Sequence, residues 1–328
     1  MSDTLSVCVD CIRDGKIFPI EKLHRDIRKQ FLLPPTPPEK SGIRCHICSN
    51  ECVIDNGHKG YCGLRENVND KLVTKVSKNN ALAYTYLDPL PTNCCASRFC
   101  PESTEYGYNL ATFFYGCNFD CLFCQNYSHK SIYNAPIITV NDFVSKVKDN
   151  TEIRCICYFG GSPEPQLPFA INASQKVLKE RMVRICWEWN GCGNLNLVKK
   201  AALLSLESGG IIKFDLKAYN NNLSLALSGV SNKQAYKNFD LIANFYGSSI
   251  LTATTLLVPY YVDMKEVEGI AKFIASIDPN IPYSLLVFHP DFYMRDLPIT
   301  PRRQVEECYE VAKMYLRKVN IGNKHLLI

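Results

Sequence analysis

From about residue 110 onward the chain alternates between two periodicities. Short apolar, β-branched or aromatic runs occur at 111–116 (ATFFYG), 153–161 (IRCICYFGG), 183–191 (VRICWEWNG), 210–217 (GIIKFDLK), 250–259 (ILTATTLLVP) and 283–290 (YSLLVFHP). Runs that are apolar without alternation predict strands buried on both faces. About 30–45 residues separate successive runs, enough for a crossover helix each time. Helix starts are legible between them. Thr139 precedes VNDFVSKVK, with Asp142 three residues on, and Ser231 has Gln234 three on, the pattern of a capping box. Asp263 and Glu266 open a segment with Met264, Val267, Ile270, Ala271, Ile274 and Ile277 near the 3.6-residue period. Thr300 is expected to cap a helix that has Pro301 in its first turn. Six strand–helix repeats imply an α/β fold, either an open doubly wound sheet or an incomplete (β/α) barrel. In both, function gathers at the C-terminal ends of the strands. The unusual residues stand at those ends: Cys117, then GGSPEP, EWNG, DLK, VP and HP.

The first third reads differently. Residues 1–42 are a short charged segment ending in a proline-rich spacer, LLPPTPPEKSG. Residues 43–110 are rich in Cys, Asn, Pro and Gly with weak periodicity, so they are expected to bury little apolar area and to need a metal. Residues 111–328 form the barrel-like part. The net charge of +5 is too small to argue for nucleic acid. No window approaches about 18 uninterrupted apolar residues, so no membrane span is expected. The start, MSDTLSVCVDCIRDG, lacks the features of a signal peptide, and a cytoplasmic location follows as the expectation.

Seventeen cysteines change the picture most. In a reducing compartment, clustered cysteines bind metal or do redox chemistry. Nine lie before residue 101, and three more lie in YGCNFDCLFCQN as Cys117-x3-Cys121-x2-Cys124. Three thiolates on one loop can hold three irons of a [4Fe–4S] cube and leave the fourth for an exogenous ligand. Cys45, Cys48, Cys52 and Cys62 are four candidate ligands for a second metal, zinc or iron–sulfur. Cys94, Cys95 and Cys100 offer an alternative partition. Cys8 and Cys11 form a bare CxxC. Cys155, Cys157, Cys186 and Cys308 are expected in the core, and Cys192 at a strand end.

The three-cysteine loop resembles the signature of the radical S-adenosylmethionine (SAM) superfamily. The resemblance implies a partial (β/α)6 TIM-type barrel, a [4Fe–4S] cluster on Cys117, Cys121 and Cys124, and SAM on the open iron. Reductive cleavage of SAM would then give a 5′-deoxyadenosyl radical that abstracts hydrogen from a substrate. Phe123 would lie on the adenine side. FGGSPEP resembles the family's Gly-Gly-Glu-Pro strand and points to Gly160, Gly161, Ser162 and Glu164, although Ser162 and Pro163 interrupt the pattern. KFDLK is similar to the Asp-x-Lys stretch of pyruvate formate-lyase activating enzymes, which gives Asp215 and Lys217 a SAM-contacting role. WEWNG resembles their Glu-Thr-Asn-Gly segment, implying Glu188 and Asn190, with Trp189 a departure. LLVFHP resembles their Leu-Pro-x-His ending and implies His289 near ribose or substrate. Within the superfamily, residues 45–67, 288–301 and 320–323 look most like the AmmeMemoRadiSam-system radical SAM protein. The resemblance further implies an electron donor such as flavodoxin or ferredoxin, and a substrate that is either a partner protein or a small metabolite. The rival from another class is a zinc-stabilised, non-catalytic binding protein.

Overall fold

The computed structural model describes residues 1–92 and 94–327, without the side chains at positions 101 and 102. The elements begin with α1 (Val9–Arg13), α2 (Phe18–Gln30) and four short strands, β1 (Ile43–Arg44), β2 (Val53–Ile54), β3 (Arg65–Val68) and β4 (Lys71–Thr74). There follow β5 (Asn80–Pro89), β6 (Tyr108–Phe114), β7 (Ile137–Thr139), α3 (Val140–Asp149), β8 (Ile153–Gly160), α4 (Leu167–Glu180), β9 (Arg184–Trp189) and α5 (Leu195–Ser208). The chain ends with β10 (Ile212–Asp215), α6 (Asn221–Ser228), α7 (Lys233–Tyr246), β11 (Leu251–Leu257), α8 (Met264–Ile277), β12 (Tyr283–Val287), α9 (Arg302–Lys313) and β13 (Val319–Gly322). The six expected strands and the helices between them are all present. Among the described residues, no helix is long and apolar enough to cross a membrane.

Two compact units cut across the sequence. The first comprises Met1–His24, Phe119–Gln125 and Lys213–Ile328; the second comprises Arg25–Asn118 and Asn126–Ile212. In the second unit the strand order is β9-β8-β6-β5-β7. β6, β8 and β9 are parallel, with Ala111 opposite Cys157 and Cys157 opposite Cys186, so these cysteines pack as small core residues. Behind them Phe143, Tyr158, Trp187 and Trp189 stack with successive ring centroids 5.9, 4.8 and 5.6 Å apart. In the first unit the order is β13-β12-β11-β10, and β11, β12 and β13 are parallel. Helix α8 buries Val267, Ile270, Ala271 and Ile274, while α9 buries Val305, Cys308, Val311 and Ala312. Neither run of strands closes on itself, which is the geometry of a partial α/β barrel rather than a complete one.

Several local expectations need correction. Residues 43–110 do bury apolar area: Leu64, Val76 and Leu82 form a core cluster with Cys62 and Ile132. The same stretch supplies β5, a ten-residue strand antiparallel to β6 and β7. Its outer half exposes Tyr84, Tyr86 and Leu87, which hid the strand pattern. Thr139 caps α3 as expected, accepting from the Asp142 N–H. Ser231 stands one residue before the cap position of α7, which Asn232 holds, but its hydroxyl accepts from the Lys233 N–H at 3.3 Å while donating to Asn221 Oδ1. Thr300 is not the cap of α9 either. It accepts from the Phe288 N–H and donates to the Leu257 carbonyl, leaving the cap position to Pro301.

Candidate active site

Strand β6, buried from Asn109 on, delivers the chain to Gly116, whose φ of +80° turns it into the cysteine loop. Within the second unit, Cys117 is buried and Asn118 next to it is completely so. The Asn118 amide donates to the Cys192 carbonyl (3.2 Å), and Asn190 donates to Asn118 Oδ1 (2.8 Å) and to Ser162 Oγ (2.9 Å). Ser162 donates in turn to Glu164, whose other oxygen accepts from the Gly191 N–H at 2.7 Å. The structure thus brings Asn190, Ser162 and Glu164 together in one buried network, in which each Glu164 oxygen accepts a hydrogen bond. Gly160 and Gly161 are required by the fold itself. An added Cβ would lie 2.6 Å from Phe114 N at Gly160 and 2.5 Å from Gly116 O at Gly161.

Within the first unit, the rest of the loop is fastened to the end of α6. The Asp120 N–H donates to Ser228 O and the Leu122 N–H to Leu227 O, both at 2.9 Å, and Tyr293 N–H donates to Leu122 O. The Cys121 thiol lies 3.4 Å from Ser228 Oγ. Beneath, the buried Asp120 carboxylate meets His24 Nδ1 at 2.8 Å, and His24 Nε2 is 2.9 Å from the Ala226 carbonyl. Sequence reasoning missed Asn118, Asp120, Ser228 and His24. Asn118 and Asp120 lie inside the x3 spacer and were readable there; His24 carries no local signal.

Lys217 pairs with Asp215, and its ammonium sits 5.5 Å from the centre of the Phe123 ring. Burial opposes the charge on Lys217, but Asp215 and the Cys121 and Cys124 thiols outweigh it and hold its pKa above the ordinary value. The second Asp215 oxygen is buried with no hydrogen-bond partner. Phe123, Cys121, Cys124, Asp215 and Lys217 therefore form one neighbourhood. His289 is half exposed and pairs with Asp291 at 3.0 Å. In the second unit, the Glu188 carboxylate and the thiols of Cys94 and Cys95 are all within 4.8 Å of one another.

Cys45, Cys48, Cys52 and Cys62 are buried in the second unit. The β1–β2 pairing brings Cys45 and Cys52 together, with the Cys45 N–H donating to Cys52 O. Burial pushes the thiols of Cys45, Cys48 and Cys52 up, Cys52 to about 11. Cys8 and Cys11 stand at the start of α1, where hydrogen bonds from Cys11 lower the Cys8 thiol.

The model of the radical SAM superfamily matches residues 112–274. An uncharacterized protein of Methanocaldococcus jannaschii is 26% identical over 291 residues, covering 86% of this chain and 81% of that one. A putative glycyl-radical enzyme activating enzyme of the same organism is 29% identical over 215 residues, covering 63% of this chain and 77% of the relative. Among solved structures, a domain of a pyruvate-formate lyase-activating enzyme from Bacteroides vulgatus aligns at 18% identity and a TM-score of 0.41, over 51% of this chain and 98% of that domain. The family match and the activating-enzyme relative set aside the non-catalytic rival. This chain carries a radical SAM domain over residues 112–274 and is an enzyme of the radical SAM type.

Proposed function

We propose that Cys117, Cys121 and Cys124 hold a [4Fe–4S] cluster and that the residues near them bind SAM. Bound together, cluster and SAM supply a reductively generated 5′-deoxyadenosyl radical for hydrogen abstraction from substrate. The chain's own part is to orient and to exclude water. Phe123 offers its ring to the adenine. Asp215 and Lys217 take the polar end of the ligand, and His289 reaches ribose or substrate. Gly160 and Gly161 keep the end of β8 free of side chains, while Ser162, Glu164 and Asn190 stiffen the strand ends. The observation that carries this reading is the Asp215 oxygen left buried and unpartnered beside Lys217, which itself lies against Phe123 and feels the Cys121 and Cys124 thiols. An unsatisfied buried acceptor costs about 1–3 kcal/mol, and an N–H or O–H of a bound ligand would remove that cost.

Cys45, Cys48, Cys52 and Cys62 are proposed to hold a second metal, zinc or iron–sulfur, consistent with four buried thiols that sense one another. A flavodoxin or ferredoxin would supply the electron. The glycyl-radical activating relative favours a protein as substrate. The test is anaerobic reconstitution with iron and sulfide, then dithionite and SAM, with 5′-deoxyadenosine measured. The parent protein should turn brown and release 5′-deoxyadenosine, and Cys121→Ala should do neither. Equal cleavage by that variant would overturn the proposal.

A further inference from the structure

Beyond that reading, we propose that Cys94, Cys95 and Glu188 form a zinc site that uses none of the other clustered cysteines. Cys94 and Cys95 are neighbours in sequence and Glu188 lies 93 positions beyond Cys95, yet the three donor atoms all lie within 4.8 Å of one another, and all three residues are half-buried. The local structure explains the convergence. On β9, Trp187 and Trp189 are buried and stack together, so the period-2 alternation turns Glu188 to the opposite face. In the loop after β5, the Ser97 N–H donates to the Cys94 carbonyl and the Ala96 N–H to the Cys94 sulfur at 3.4 Å, fixing that turn.

The donor chemistry selects the ion. Two thiolates and a carboxylate gather negative charge, and its reach is visible at Asp88, whose carboxyl is held up by burial and then by Cys94. A divalent cation reverses that repulsion. Thiolates favour zinc over magnesium or calcium, and a carboxylate is an ordinary third ligand for zinc. Zn–S bonds of about 2.3 Å in a tetrahedron set donors about 3.8 Å apart, so closing around the ion asks for roughly 1 Å of side-chain movement. Three protein donors leave a fourth position for water. The ion would pin the loop after β5 to the end of β9.

The test uses the full chain with Cys117, Cys121 and Cys124 changed to Ala, so its outcome is independent of the proposed iron–sulfur cluster. Cobalt(II) serves as probe under reducing, anaerobic conditions. Bound equivalents are counted against a competing chelator, and thiolate-to-cobalt charge transfer reports the ligands. Cys94→Ser/Cys95→Ser should lose one equivalent, and Glu188→Gln should weaken that equivalent at least about tenfold. Cys100→Ser, whose thiol lies outside the group, should change neither. Unchanged cobalt stoichiometry in the double variant overturns the site, as does unchanged affinity in Glu188→Gln. Should the double variant lose its circular dichroism signature, Glu188→Gln alone decides, since it keeps both thiols.

Discussion

Removing His24 should loosen the middle of the cysteine loop while leaving the rest of the chain folded. In the structure the imidazole joins the Asp120 carboxylate (2.8 Å) to the Ala226 carbonyl (2.9 Å), with Asp120 fully buried. A hydrogen bond to a charged group contributes about 1.5–3 kcal/mol and one to a neutral carbonyl about 1 kcal/mol, so His24→Ala should cost about 3 kcal/mol locally. At about 1.4 kcal/mol per decade, the open population of the loop should rise about 100-fold. Hydrogen exchange reads this directly, because the Asp120 and Leu122 amides are protected by bonds to Ser228 and Leu227. Exchange at 120 and 122 should accelerate by about two orders of magnitude, with strands β11 and β12 nearly unchanged. No acceleration at those two amides would refute the reasoning. So would equal acceleration everywhere, since that reports global rather than local loss.

Three further outcomes are expected. The buried thiols of Cys45, Cys48 and Cys52 are pushed up, Cys52 to about 11, so the metal-free fold prefers them protonated. That contribution is whole below about pH 8.5 and is lost as pH rises toward 11. Metal binding must displace those protons, so zinc titration calorimetry in two buffers at pH 7.5 should show at least three protons released per ion; fewer than one would sink the assignment. Lys217→Met strands the Asp215 carboxylate at a cost of about 2 kcal/mol by urea unfolding, and adding Asp215→Asn should recover about half; strict additivity would deny the coupling. Gly161→Ala places a Cβ 2.5 Å from Gly116 O and should lower stability by about 1–3 kcal/mol, and a melting temperature equal to the parent's would contradict that clash.

What could be read from sequence follows from how each feature is built. Strands β6, β8, β9, β10, β11 and β12 are buried on both faces and so appear as unbroken apolar runs. The three-cysteine loop is contiguous, and its spacing is its chemistry. Strand β5 escaped notice because only its first half is buried. The cap read at Ser231 falls one position early: Asn232 holds the cap, while the Ser231 hydroxyl serves the Lys233 N–H of α7 and donates to Asn221. Glu164 matched a ligand-binding pattern, but Ser162 and Gly191 hold both its oxygens. The pairing of His24 with Asp120 spans 96 positions and leaves no periodic trace. Long-range partners of single polar groups are what one sequence hides best.

Both tryptophans of the chain, Trp187 and Trp189, lie buried in the stack behind β9, and both belong to the second unit. Their emission is therefore an optical probe of that unit alone. If the two units melt apart, tryptophan fluorescence will follow the second, while circular dichroism averages over both. A mismatch between the two traces would reveal stepwise unfolding without any label.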